Sequence, residues 1–409
     1  MNFESPQVGS VITPVALLER LTWVISPFVP DSHHFEKGFR TMEVMTSVSP
    51  INKASVLGED LNETDYFFGN HTSDSNAQLR DSLNIMSIVI YSLDFVLGVL
   101  GNGMVIYVTG FKMKKTVSAV WFLNLAVADF LFTAFLPLSV TYTALEFHWP
   151  FGTFMCKLST AVSALNMFAS VYTLMMISID RCISVLLPFW AQTHRSVQKA
   201  SRMSLCVWVL ALILSTPYFI FRDTKPSLFN EEAINCFNNF AFSDDFTPEL
   251  IQLRLFRQRA ITVTRFLLSF AIPFTVIVAC YAAIIHRLRK NPNLAGRSSR
   301  TFKIIAAVII VFFLCWAPFH VIVLMELTSH QYSSVLIQNV VTLGMPIVTS
   351  LAFLNSCLNP LLYVFVGQDF KDKVCKSMVK VLENAFQEED TQADSKTVQT
   401  SQGNENSKL

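Results

Sequence analysis

The chain has 409 residues, of which 52% are hydrophobic and 15% charged, with a net charge of +1. A soluble domain usually carries about a quarter charged residues, so this composition favours a membrane protein, and the balanced charge argues against a nucleic-acid partner. No C-x-x-C pair, phosphate-binding loop or hydrolase motif occurs, so we expect neither structural zinc nor an enzyme.

Seven stretches are long and apolar enough to cross a membrane, which takes about 20 residues. They cover residues 83–110, 117–144, 154–187, 201–221, 260–287, 302–327 and 335–366, and are numbered here as spans 1 to 7. As buried helices of a soluble protein they would leave almost no polar surface. The sequence therefore predicts an all-α membrane protein whose seven-helix transmembrane bundle covers residues 83–366.

The distribution of lysine and arginine predicts how the bundle is oriented in the membrane. They are abundant after spans 1, 3, 5 and 7, whereas the connectors after spans 2 and 6 hold none. Basic residues of short connectors stay on the cytoplasmic side. The connector after span 4 carries both signs of charge and does not fit this alternation, but the other connectors agree on one orientation. We therefore expect a multi-pass plasma-membrane protein with an extracellular N-terminus and a cytoplasmic C-terminus.

The segments outside the spans differ in character. Residues 1–82 are polar without a helical period and are predicted to form a largely disordered extracellular tail, with glycosylation sites at Asn62 and Asn70. Residues 367–386 are predicted to form a short amphipathic eighth helix on the cytoplasmic lipid surface, and residues 387–409 an acidic disordered tail. Candidate phosphorylation sites in that tail, which would suit receptor kinases and arrestin, are Thr391, Ser395, Thr397, Thr400 and Ser401.

Polar side chains inside the spans require an explanation, because burying them in hydrocarbon is costly. They are Asn102, Asp129, Asn166, Ser170, Asn355 and Asn359. Two interpretations stay open. One is a network that only holds the helices together, at about 1 kcal/mol per hydrogen bond or less. The other is a site for a monovalent cation, namely sodium. Asp94 in span 1 has no obvious partner and receives no role.

Three short motifs suggest moving parts. Asp180-Arg181-Cys182 lies at the cytoplasmic end of span 3, where Arg181 is either an interfacial anchor or one half of a switchable pair with Asp180. Trp316-Ala317-Pro318 and Asn359-Pro360-Leu361-Leu362-Tyr363 each combine a helix-bending proline with a bulky or polar side chain.

Cysteines and charges mark the extracellular half. Cys156 and Cys236 are the two cysteines placed outside, and the secretory pathway is oxidising, so we expect a disulfide between them. Arg265 lies in the outer half of span 5, where a buried guanidinium needs a partner such as a carboxylate. Arg222 ends span 4 and Glu326 ends span 6; these rim charges are either interfacial anchors or ligand contacts.

These residues, in this order and one set per span, resemble the rhodopsin-like (class A) G-protein-coupled receptors over roughly residues 83–386. The matching residues are Gly101-Asn102, the stretch 125–129, Cys156, Asp180-Arg181-Cys182, Trp208, Pro273, Tyr281 and the stretches 312–318 and 359–363. The resemblance favours the sodium site, with Asp129, Asn166, Ser170, Asn355 and Asn359 as its ligands. It also implies a G-protein-coupling and activation switch built from Asp180, Arg181, Tyr281, Phe312, Trp316, Pro318, Asn359, Pro360 and Tyr363.

Within that class, the stretches 111–117, 121–132, 180–188, 236–240, 263–266 and 364–370 are similar to the chemoattractant branch, and most of all to chemerin receptors. This resemblance implies Gi-type G proteins and a peptide or small-protein ligand whose C-terminal end enters the bundle, in leukocyte chemotaxis and inflammation. Formyl peptides, an anaphylatoxin or a lipid mediator are the alternative ligands. The predicted ligand-binding residues are Arg222, Phe237, Asn238, Phe240, Arg265, Phe319, His320 and Glu326.

Other classes of membrane protein fit less well. A transporter would show repeated halves, and early and late spans do not match. A retinal protein would need a lysine in span 7, which has none, and an amine receptor would need an acid where span 3 has Ser163.

Overall fold

The computed structural model describes residues 63–227, 232–243, 247–290, 295–329 and 335–366, with the backbone alone for residues 63–77, 295–304, 328–329, 335 and 363–366. Within these ranges, seven helices are long and apolar enough to cross a membrane. They coincide with the seven predicted spans, so the predicted architecture is confirmed. The predicted eighth helix, residues 367–386, lies outside the described residues.

The helices have the following bounds. Span 1 is the helix Glu63–Tyr107, continued by the π-helical segment Val108–Lys112; span 2 is Val117–Ala144; span 3 is Gly152–Leu186; span 4 is Val197–Ile220; span 5 is Pro248–Phe266, the π-helical segment Leu267–Ala271 and Ile272–Lys290; span 6 is Ala295–Ser329; span 7 is Val335–Val366. A short helix, Pro188–His194, lies between spans 3 and 4.

The helices of spans 1 and 5 begin more than ten residues before their predicted starts, because polar turns can extend a helix beyond its apolar part. Span 1 begins at Glu63, so residues 63–82, assigned above to the disordered tail, are helical. Span 5 begins at Pro248 rather than at residue 260. There the Thr247 side chain accepts a hydrogen bond from the Leu250 amide at 3.4 Å, proline occupies the first turn and Glu249 complements the helix dipole.

A β-hairpin covers one end of the bundle. Strand β1, Arg222–Pro226, pairs antiparallel with strand β2, Ile234–Asn238. Arg222 therefore belongs to β1 and does not end span 4, which stops at Ile220. The predicted disulfide is confirmed: Cys156 in span 3 is bonded to Cys236 in β2, with their Cα atoms 5.8 Å apart. We call this end of the bundle the hairpin end, and the opposite end the Arg181 end.

The main buried core draws on all seven spans, and most of its side chains come from spans 2, 3 and 6. Leu125, Phe168, Leu174 and Phe312 are almost completely buried there. Span 4 is attached to span 2 by a hydrogen bond from Trp208 Nε1 to Asn124 Oδ1 of 2.9 Å. Van der Waals packing and such interhelical hydrogen bonds join helices within a membrane. The hydrophobic effect does not drive their association, because the lipid is as apolar as the side chains.

Gly98 sets how closely spans 1 and 2 approach. A Cβ atom at this position would lie 2.8 Å from Thr133 Cβ and nearer still to Thr133 Cγ2. Thr133 is completely buried and β-branched, so it has little room to turn away. The glycine is therefore a packing requirement of this helix pair.

We expect Gly98→Ala to destabilise the purified protein by about 1–3 kcal/mol, the usual cost of overpacking a core, as measured by thermal unfolding in detergent. Gly110→Ala is the matched control, because a Cβ there meets nothing within 4 Å. The double variant Gly98→Ala/Thr133→Ser should recover part of the loss. Equal stability of the two alanine variants would contradict the close approach.

Candidate functional site

Asp129 is the centre of a buried polar cluster between spans 2, 3 and 7. Its side chain is fully buried. Oδ2 accepts a hydrogen bond from Asn359 Nδ2 at 2.7 Å, and the hydroxyls of Ser170 and Ser356 also lie within hydrogen-bonding reach. The carboxylate therefore has partners from two other helices.

Asn166 completes this cluster when its amide is oriented so that donors face acceptors. Nδ2 then donates to Asp129 Oδ1 at 3.1 Å, and Oδ1 accepts from the Ser356 hydroxyl at 3.0 Å. Because amide oxygen and nitrogen are assigned from their surroundings, we prefer this orientation, which supplies both oxygens of a buried carboxylate with a donor.

The structure brings together most of the predicted cation ligands and adds one. Asp129, Asn166, Ser170 and Asn359 converge, whereas the buried amide of Asn355 has no hydrogen-bond partner among the described residues. Ser356 was not predicted, since a serine beside Asn355 carries no signal of its own in an apolar span. Ser356 also connects span 1, because its carbonyl accepts from Asn102 Nδ2 at 2.9 Å.

Asp94, which received no role from the sequence, faces span 7. It is fully buried, and its Oδ1 accepts a hydrogen bond from the Cys357 thiol at 3.1 Å. Cys357 follows Ser356, so neighbouring residues of span 7 contact two buried acidic side chains. A thiol is a weak donor, which is why sequence inspection did not suggest it as the partner.

At the Arg181 end, Asp180 forms its ion pair with Arg195, while it still interacts electrostatically with its predicted partner Arg181. Asp180 accepts two hydrogen bonds from Arg195, at 2.8 Å and 2.9 Å, a bidentate geometry that favours arginine. Arg181 instead donates to the Ser118 hydroxyl of span 2 at 2.7 Å. Adjacent helical residues point in different directions, so the two neighbours choose separate partners.

The other predicted switch residues lie along spans 5, 6 and 7. Tyr281 is close enough to Arg181 for an electrostatic interaction. Phe312 and Trp316 are both buried with ring centroids 6.0 Å apart; they lie about one helical turn from each other, both on the Arg181 side of Pro318. Pro360 lies inside span 7. The side chain of Tyr363 lies outside the described part of the structure.

Towards the hairpin end, Arg265 of span 5 faces aromatic side chains of span 6. Its guanidinium carbon lies 5.2 Å from the centroid of the Phe319 ring. Its Nε is buried and has no hydrogen-bond partner among the residues that the structure describes. A guanidinium binds carboxylates and aromatic faces, and here the aromatic contact leaves donor capacity unused.

The remaining predicted pocket residues of spans 5 and 6 surround this arginine. Glu326 and His320 both interact with Arg265 electrostatically. His320 is buried, and its ring lies 6.0 Å from that of Phe266 and 3.4 Å from the Ser269 hydroxyl through Nε2. The predicted residues Arg265, Phe319, His320 and Glu326 therefore do form one group. The opposite charges of Arg265 and Glu326 lie beside the rings of Phe319 and His320.

The predicted residues of the hairpin form a second group. Arg222 donates from Nη1 to Asn238 Oδ1 at 3.0 Å and from Nε to the Cys236 sulfur at 3.3 Å. Burial lowers the pKa of Arg222, an effect that nearby Tyr142 opposes. Phe240 is buried against Phe221, whereas Phe237 is half-buried in β2. Arg222 thus holds the hairpin together, a task that sequence alone did not assign.

Several predicted modification sites cannot be placed. Asn62 and the five candidate phosphorylation sites lie outside the described residues, and Asn70 is described by its backbone alone, within the helix Glu63–Tyr107.

Comparison with known proteins accords with this geometry. Residues 101–363 match the model of the 7 transmembrane receptor (rhodopsin family), so the chain belongs to the rhodopsin family of seven-transmembrane receptors. Human chemerin-like receptor 1 is 48% identical over 311 residues, 75% of this chain and 81% of that protein. The protein of the same name from Sus scrofa is 47% identical over 313 residues, 75% of this chain and 84% of that protein. The C3a anaphylatoxin chemotactic receptor of Danio rerio is 42% identical over 353 residues, 85% of this chain and 92% of that protein.

Family membership sets the broad function. The chain is a multi-pass receptor of the plasma membrane that responds to an extracellular ligand and couples to G proteins, and it is not an enzyme.

Proposed function

We propose that this receptor recognises a chemoattractant peptide or small protein of the chemerin type and signals through Gi-type G proteins in leukocyte chemotaxis and inflammation. The similarity to proteins named chemerin-like receptor 1 supports this ligand class. The hairpin end and the N-terminus would face the extracellular side, and the Arg181 end the cytoplasm, as the distribution of lysine and arginine favours.

The observation that carries the ligand proposal is the half-buried guanidinium of Arg265, which rests on the Phe319 ring and whose Nε has no hydrogen-bond partner among the described residues. A peptide that enters by its C-terminal end brings a carboxylate into a poorly solvated site, where a guanidinium offers two parallel hydrogen bonds. Phe319 and His320 supply the apolar wall on one side. Glu326, nearer the end of span 6, would bind an amide or a cationic group of the ligand.

An anaphylatoxin is the second candidate ligand, because the Danio rerio relative bears that name and covers more of the chain. It would use the same Arg265 site, since its recognition also depends on a carboxylate in this proposal. Formyl peptides and lipid mediators are the other alternative ligands. A ligand screen that measures the Gi-dependent fall in cAMP would test all of these ligand classes.

Ligand binding would reach the G protein through a two-state rearrangement. Trp316 and Phe319 are in edge contact, with ring centroids 5.7 Å apart, so a ligand that moves Phe319 also acts on Trp316 and on the bend at Pro318. An outward movement of span 6 would then expose Arg181 to the G protein, with Tyr281 and Tyr363 beside it. Two states that respond to distant ligands are what allostery requires.

Two partners would end the signal. Receptor kinases would phosphorylate the acidic tail after residue 387, and each phosphate would add about −1.5 to −2 charges. Such a charged flexible tail suits arrestin.

A sodium ion would stabilise the inactive state at Asp129. The donor chemistry fits a hard cation, which prefers carboxylate, hydroxyl and amide oxygens. Asp129, Ser170 and Ser356 supply the first two kinds, and the buried oxygens of Asn355 and Asn359 lack hydrogen-bond partners in the described structure. Sodium here would oppose agonist binding, because the ion and the agonist prefer different states.

We expect Arg265→Ala to reduce the affinity of a chemerin-type peptide by about 2–5 kcal/mol, the cost of removing one member of a buried charge pair, as measured by competition binding on membranes. Arg259→Ala is the matched control, since it removes the same charge from the same helix. A wild-type response of Arg265→Ala at normal surface expression would contradict the pocket assignment, and the anaphylatoxin, formyl-peptide and lipid arms would then take priority.

Arg181→Ala should abolish receptor-stimulated nucleotide exchange on purified Gi while leaving peptide affinity within a few-fold of wild type. The reason is that Arg181 lies at the end of the bundle opposite the hairpin. Exchange is measured with a non-hydrolysable GTP analogue, and Lys199→Ala serves as a control for loss of a basic residue near the same end. Normal exchange by Arg181→Ala would remove it from the switch.

Asp129→Asn should make agonist affinity insensitive to sodium, because the amide keeps the size and one acceptor oxygen of the carboxylate but loses the charge that holds the ion. Agonist dissociation constants are compared in sodium chloride and in N-methylglucamine chloride at equal ionic strength. Wild type should bind agonist more weakly in sodium. If the variant kept the full sodium effect, the ion would have to bind elsewhere.

A further inference from the structure

The chain returns from β2 to span 5 through residues 239–243, here called the post-hairpin segment, and Arg257 holds that segment. Arg257 lies on the helix Pro248–Phe266. Its Nη1 donates to the carbonyl oxygen of Phe240 at 2.8 Å. Its guanidinium carbon lies 5.8 Å from the ring centroid of Phe221 and 5.3 Å from that of Phe242.

The two rings contacted by Arg257 also contact each other. Phe221 and Phe242 are stacked, with centroids 5.1 Å apart, and Phe221 also lies 5.5 Å from Phe240. Phe221, Phe240 and Ile261 form a buried apolar cluster between spans 4 and 5. A guanidinium suits this position because it can rest on aromatic faces while its edge donates a hydrogen bond.

The backbone of the post-hairpin segment needs such support. Phe242 has a φ of 60°, in the left-handed region that bulky residues seldom adopt. Its amide donates to Asn239 Oδ1 at 2.9 Å, and Asn239 in turn donates from its amide to the Phe221 carbonyl at 2.7 Å. Asn239 thus fastens the segment to the end of span 4, while Arg257 fastens it to span 5.

The position of Arg257 relates this contact to the ligand site. Arg257 and Arg265 are two helical turns apart on span 5, about 12 Å along the axis, and Ile261 lies midway between them. The post-hairpin segment packs on Ile261, one turn on the hairpin side of Arg265. The segment therefore packs against span 5 between the hairpin end and Arg265.

We propose that Arg257 is a positioning residue for ligand recognition: it fixes the post-hairpin segment, and with it the end of β2, beside the approach to Arg265, so that a bound peptide is retained. This inference rests on the proposed function. Arg257 does not contact the ligand carboxylate itself; it keeps in place the protein surface against which the ligand body lies.

The test compares Arg257→Ala, Arg257→Lys and Arg259→Ala receptors, each with its Cys156–Cys236 disulfide verified by mass spectrometry. A labelled chemerin-type peptide should dissociate from Arg257→Ala roughly tenfold faster than from wild type, with little change in association rate, since loss of a charge-assisted contact acts mainly on dissociation. Arg257→Lys should recover part of the loss, because lysine can still donate to the Phe240 carbonyl. Arg259→Ala should dissociate as wild type does, and maximal Gi activation at saturating peptide should be unchanged in all.

A second measurement separates this inference from the proposed function. Amide hydrogen exchange of residues 239–243 in the ligand-free receptor should be faster in Arg257→Ala and unchanged in Arg259→Ala. Unchanged exchange in Arg257→Ala would overturn the contact, and faster exchange with unchanged peptide dissociation would overturn the role in recognition. If the peptide failed to bind wild type, the proposed function would fall and the recognition role with it, while exchange would still decide whether Arg257 holds the segment.

Discussion

The buried carboxylate of Asp129 imposes the constraint on which the arrangement of the bundle depends. Its side chain is fully buried, and an unsatisfied polar group in hydrocarbon costs several kcal/mol, so its partners must come from other helices. Asn166 and Ser170 on span 3 and Ser356 and Asn359 on span 7 meet this requirement. Asn102 adds span 1 through the carbonyl of Ser356. One acidic side chain thereby fixes the relative positions of four helices.

The same arrangement explains how a receptor can have two states. Residues 356–359 of span 7 contact Asp129, Asn166, Asn102 and Asp94, and they lie immediately before Pro360. A change in the bend at this proline therefore alters several buried contacts at once rather than one at a time. Because such contacts are satisfied as a set, intermediate arrangements are costly, and the helix is expected to move between discrete positions.

The sequence predicts a large part of this structure where a physical signal is local. Apolar length identifies all seven spans, and the placement of Cys156 and Cys236 on one side identifies their disulfide. Asp129 and Arg265 stand out because a charge in an apolar stretch is costly in itself.

The partners of such residues are harder to predict. Ser356, Arg195 and Cys357 are ordinary residues whose importance arises only when distant helices meet. By sequence, Arg222 is a rim charge and Arg257 is one of several charges in the connector after span 4. Only the folded hairpin shows that they hold backbone and rings in place. The start of span 5 was predicted too late because its first turns depend on a Thr247 cap rather than on hydrophobicity.

A double-mutant cycle tests most directly whether the half-buried guanidinium of Arg265 binds the carboxylate of the ligand. The affinities of a chemerin-type peptide with a free C-terminal carboxylate and of its C-terminal amide are measured on wild-type and Arg265→Ala receptors. If the two groups interact, amidation weakens binding to wild type but has little effect on Arg265→Ala, giving a coupling energy of about 1.5 kcal/mol or more. Equal losses on both receptors would mean that the carboxylate and Arg265 act independently, which would contradict the proposed mode of recognition.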